Sequence, residues 1–255
     1  MTIAWSNDPY DKHQFFLDSV KHMARGDREE SPTWTIIAGI LFFIGSALYF
    51  SGVLLNILLP SISAVDAWIF NATGAGMFIL CGLVQYFNYM GYFHILMILG
   101  GTFGLIAAIL DGHHQHASVY LNFVANHLYF VEAIKFYFSH QGMDILMREI
   151  TTKYIWRGTQ GIADFCFIVA TMVNVGLSWI DIFEKSPATD DWHLSTLRTD
   201  EQKYIELASA SLWFLCSTLT LAVYIRMGKV ASSAGEKEDD DETENLVPTN
   251  LSTRV

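Results

Sequence analysis

The stretch GIADFCFIVATMVNVGLSWIDIF, residues 161–183, decides the fold. As a helix rising 1.5 Å per residue it is long enough to cross a hydrocarbon core of ~30 Å. Its charged groups, Asp164 and Asp181, lie near its ends. It is also one-sided: with Gln160 just ahead, Asp164, Thr171, Asn174, Ser178 and Asp181 fall within an arc of about 100° on a helix turning 100° per residue. A polar stripe carried through hydrocarbon must face other helices or water. The segment therefore implies a bundle rather than a lone anchor.

Working outward, apolar runs of comparable length place further spans at 36–59, 67–89, 93–110 and 206–227. A more polar one, at 119–138, contains Asn122, Asn126, His127, Glu132 and Lys135. Its other reading is a helix packed inside the bundle, so the expectation is six transmembrane helices, with five as the fallback. Composition agrees, since 52% of the 255 residues are apolar and only 16% charged, with a mean hydropathy of +0.30. These values fit an all-α, polytopic membrane bundle.

Basic residues set the expected orientation. Lys12, Lys21, Arg25, Arg28, Arg148, Lys153, Arg157, Arg226, Lys229, Lys237 and Arg254 fall on one side, against Lys185, Arg198 and Lys203 on the other. The positive-inside rule then puts both termini in the cytoplasm. The expected organisation is a cytoplasmic region at 1–33 holding an amphipathic helix, a transmembrane domain at 34–227, and a disordered acidic tail at 228–255. The amphipathic helix starts near Asp8-Pro9 and presents Phe16, Leu17, Val20 and Met23. Residues 1–33 lack a continuous apolar core, so they do not read as a cleavable signal. Seven acidic residues and one lysine crowd 236–244, a run that repels itself and stays solvated. Ahead of the last span, Thr199 and Gln202 make a capping-box pattern.

The net charge of −11 argues against nucleic acid as a partner. Cys81, Cys166 and Cys216 are scattered through apolar runs and suggest neither a disulfide framework nor a metal motif. No phosphate-binding glycine loop, HExxH or GxSxG is present, so enzymatic function is not the favoured class.

Several groups stand out as candidate sites. Asn71, Gln85 and Asn88 in the second span join Asp164, Asn174, Ser178 and Asp181 as candidate lining of a polar pathway. Asn71, Cys81, Gln85 and Asn88 share the spacing of Asp164, Asn174, Ser178 and Asp181, a pattern also expected of an inverted repeat. Glu132 and Lys135 are three apart and suited to an intramembrane ion pair. His113, His114 and His116 form a histidine-rich turn, either solvated or a metal- or pH-sensing site. Gly100 and Gly104 make a GxxxG, and Ala72 and Gly76 a second small pair, permitting close packing within the chain or in a homo-oligomer.

The ending Ser252-Thr253-Arg254-Val255 resembles a class I PDZ ligand, with Thr253 and Val255 as its binding residues. That resemblance implies a cytoplasmic PDZ-domain partner and points to the plasma membrane. Gly45-Ser46 followed by Phe50, within Phe42 to Phe50, resembles the Gly-Ser-aromatic helices of YrhK-type membrane domains. Trp68 and Gly74 to Gly76 stand where a second copy would be, without the Gly-Ser pair. The resemblance covers the first three spans and implies membrane residence without an established chemistry.

Three readings follow. The first is a small-solute or cation transporter or channel. The second is a non-catalytic scaffold recruiting partners through its C-terminus. The third is metal or pH sensing at the histidine turn, which alone would call for a bound metal.

Overall fold

The computed structural model describes residues 31–58, 64–89, 94–113, 117–150, 154–184 and 199–244. They form six helices: α1 (Pro32–Leu58), α2 (Ala64–Tyr89), α3 (His94–Gly112), α4 (Ala117–Ile150), α5 (Tyr154–Glu184) and α6 (Asp200–Glu244). No strand occurs among the described residues. Five of the helices are long and apolar enough to cross a membrane; α4 is the exception.

Each helix packs against its neighbour in sequence, and α6 packs back against α1. The bundle is therefore a closed ring. Short connections make the first five helices successively antiparallel. On the near side, where α1 starts, Asn88 at the end of α2 bonds the Ser31 amide (3.1 Å) and Thr35 Oγ1 (3.2 Å). On the far side, Asn126 in α4 donates to Ser178 Oγ in α5 at 2.6 Å.

Two kinds of seam close the ring. Around α2, backbones approach through glycine: a Cβ on Gly45 would meet the Phe78 ring at 2.7 Å and the Gly74 carbonyl at 3.1 Å, and one on Gly101 would meet the Ile79 amide at 3.0 Å. Around α5, side chains bridge the helices. Ser209 of α6 donates to Asn174 Oδ1 at 2.6 Å, beside the Asn126–Ser178 bond. Gly100 and Gly104 have a different use, because both lie under Tyr129 of α4. Gly76 has nothing within 4 Å of where its Cβ would be.

The ring wears its apolar groups outward. Ile40, Ile44, Leu80, Leu99, Phe165 and Leu215 are exposed, while Ser46, Gln85, Glu132, Asp164, Asn174 and Ser209 are buried. Helix α4 explains why apolarity alone underrates it. Its polar groups Glu132 and Lys135 are buried, and its exposed side chains include Tyr120, Val124 and Val131.

The Thr199–Gln202 capping box forms as its spacing predicts, with reciprocal bonds of 3.1 and 3.3 Å. Helix α4 runs on to Ile150, and α5 begins at Tyr154, ahead of the expected start near Gly161. Helix α6 continues through the acidic run to Glu244, a stretch whose composition alone reads as disordered from residue 228. No proline interrupts it before Pro248, and Ala, Glu and Lys are good helix formers. The expected N-terminal amphipathic helix lies outside the described residues.

Candidate functional site

The interior of the ring is organised around one layer of aromatic side chains. Phe42, Phe78, Tyr129, Phe167 and Trp213 come from α1, α2, α4, α5 and α6, and all are buried. Trp213 is the hub, with ring centroids 6.0 Å from Phe42, 5.2 Å from Phe78, 5.4 Å from Tyr129 and 4.8 Å from Phe167. Edge-to-face geometry at Tyr129 and Phe167 suits the quadrupoles of the rings. Phe78 and Trp213 sit at the middle of their spans, 68–88 and 200–226.

A chamber lies on each side of this layer. The far chamber has a volume of about 130 Å³ and rests on Phe78, Tyr129 and Trp213. Tyr49 and Trp68 add aromatic wall; Asn71, Asn122, Asn126 and Asn174 add amide groups; Asp111 and Glu206 add carboxylates. It reaches Asn56 and Asp111, in the closing turns of α1 and α3. The near chamber is about 20 Å³, enough for a water molecule. Phe42 and Phe167 form its boundary with the aromatic layer, and Gln85, Asp164 and Thr220 supply polar lining.

Buried polar atoms without a protein partner concentrate at these chambers. Trp68 Nε1, Asn71 Oδ1, Tyr129 OH and Trp213 Nε1 belong to lining residues of the far chamber, and Gln85 Oε1 to the near one. Native proteins leave few such atoms, and each asks for an explanation.

The seven candidate pathway residues divide among different surroundings. Asn71 and Asn174 line the far chamber, and Gln85 and Asp164 the near one, where Gln160 donates to the Asp164 carboxylate at 2.8 Å. Ser178 is held in the α4–α5 seam by Asn126, and Asn88 pins α2 to the start of α1. Asp181 is buried but lines neither chamber.

Glu132 and Lys135 form a buried ion pair with a separation of 3.3 Å. Sequence spacing does not reveal its third member. Lys135 Nζ lies 3.5 Å from Nδ1 of buried His94, across the α3–α4 seam. His127 instead packs with Phe123 and Trp179, its Nδ1 2.7 Å from the Phe123 carbonyl.

Of the histidine turn, only His113 falls within the described residues, exposed and with its ring 6.4 Å from that of Trp68. Among the described residues no group of three metal-ligating side chains occurs. Thr253 and Val255 lie outside the described residues.

No protein-family model matches the chain, and no curated protein or solved structure matches it either. A functional reading rests on the geometry of the ring.

Proposed function

We propose that this membrane protein passes a small polar or cationic solute along the axis of its helix ring. The observation that carries the reading is the pair of polar chambers on opposite sides of one aromatic layer, inside a bundle whose outer surface is apolar. A bundle held by polar glue alone needs matched hydrogen bonds, not chambers whose lining residues carry polar atoms without partners. With both termini cytoplasmic, the far chamber faces the opposite side of the membrane. The aromatic layer then acts as the barrier that must shift for solute to pass.

Charge favours cations over anions. The described lining residues of the chambers include Asp111, Glu206 and Asp164, and no lysine, arginine or histidine. Fixed charge of one sign along a low-dielectric path raises the local concentration of its counter-ion. The scaffold reading has a specific observation of its own, because the Asn126–Ser178 and Ser209–Asn174 bonds do join helices. They account for the α5 seams and leave the chambers unexplained.

The test is flux in liposomes containing the purified chain, with a panel of small inorganic cations, organic cations and neutral polar solutes. Uptake above protein-free liposomes is expected for at least one cation, and Phe167→Ala is expected to raise it. Absence of flux for every solute, in wild type and in a folded Phe167→Ala variant, would overturn the proposal.

A further inference from the structure

The far chamber has the chemistry of a binding site, and the inference here builds on the solute-path reading by naming the class of solute. We infer that it binds a small organic ammonium ion that also carries a hydrogen-bond acceptor, such as a hydroxyl group. Size sets the first limit. About 130 Å³ is close to the engineered cavity of ~150 Å³ that accepts benzene, so the guest has only a handful of non-hydrogen atoms.

Charge and surface set the second. Five aromatic side chains, Tyr49, Trp68, Phe78, Tyr129 and Trp213, border the chamber together with the carboxyl groups of Asp111 and Glu206. Aromatic walls with carboxylates suit an alkylated ammonium, whose charge is spread and weakly hydrated. Asp111 stands in the last turn of α3, the negative end of that helix, where a carboxylate is electrostatically disfavoured.

The unpartnered polar atoms set the third. Trp213 is 2% exposed and Tyr129 7%, yet Trp213 Nε1, Tyr129 OH and the buried Trp68 Nε1 have no protein partner. An indole N–H can only donate. Two such donors on lining residues are of no use to a bare metal ion, whereas a hydroxyl oxygen on a guest drawn against those rings would accept from them. Asn71 Oδ1, also unpartnered, would accept the hydroxyl proton.

The experiment titrates the full chain in lipid nanodiscs with choline, as the probe, and with 3,3-dimethyl-1-butanol, its neutral isostere, by calorimetry and tryptophan fluorescence. Choline is expected to bind saturably, roughly tenfold or more tighter than the isostere. Glu206→Gln and Asp111→Asn should each weaken choline, and Trp68→Phe, which keeps a ring but removes the N–H, should weaken it less. Equal binding of the isostere, or no saturable binding by protein shown to be folded, would overturn the inference. Binding of choline without flux of any solute would leave this site standing and overturn the path. Flux of other cations without choline binding would do the reverse.

Discussion

The two chambers share one wall and little else. The far one is about 130 Å³ and its lining includes four residues that each carry a buried polar atom without a partner, whereas the near one is about 20 Å³ and lined by Met97, Phe136 and Tyr224 among others. Packing accounts for the difference. On the near side the α1–α6 seam is tight, with Tyr224 lying where a Cβ on Gly39 would be, at 2.9 Å. On the far side hydrogen bonds join α5 to both neighbours, Asn126 of α4 to Ser178 and Ser209 of α6 to Asn174, and Asn126 and Asn174 line the larger chamber. The interior is thus roomier on the far side of the aromatic layer than on the near side.

The largest break in that contrast should come from the ion pair on the near side. Glu132→Leu leaves the Lys135 ammonium buried without its carboxylate and should cost about 3–5 kcal/mol, whereas Glu132→Leu combined with Lys135→Met should recover most of the loss. Unfolding of both variants in detergent, followed by tryptophan fluorescence, checks this. A single variant as stable as wild type would mean the pair is not buried.

A smaller effect is expected at the shared wall. Gly45→Leu drives a side chain into the Phe78 ring and the Gly74 carbonyl, and overpacking of this kind costs about 1–3 kcal/mol. It should also disturb the aromatic layer, visible as a change in Trp213 emission when the remaining tryptophans are replaced. Gly76→Leu, with nothing near its Cβ position, is the matched control and should be close to neutral.

The smallest effect sharpens the contrast between seams. Asn126→Ala removes one interhelical hydrogen bond and should cost about 0.6–1.7 kcal/mol, the range for such bonds in membranes. Because Asn126 also lines the far chamber, the same variant enlarges it.

Much of this fold is legible in the sequence, because apolar length and helical period are local properties. The stripe on α5 marks a face that must avoid lipid, and Asp164, Asn174 and Ser178 are all buried. An arc of ~100° is wide enough to cover both a helix seam and a ring interior, so spacing does not separate Ser178 in the seam from Asn174 at the chamber. The features that define the site are non-local. Ring closure joins α1 to α6, the aromatic layer draws one residue from each of five helices, and His94 reaches Lys135 across 41 positions. Trp68 and Trp213 carry no signal of their own, since a tryptophan in a span reads as ordinary core or interface. Their unpartnered nitrogens become visible only in three dimensions.

The measurement that tests the two-chamber arrangement most directly is thiol accessibility in native membranes. With Cys81, Cys166 and Cys216 replaced, single cysteines at Asn71, Phe167 and Gln85 sample the far chamber, the aromatic layer and the near chamber. A small membrane-impermeant reagent should label position 71 from one side only, leave position 167 unreacted, and fail to reach position 85 from the side that reaches 71. Protection of position 71 from both sides in folded protein, or labelling of 71 and 85 from the same side, would contradict it.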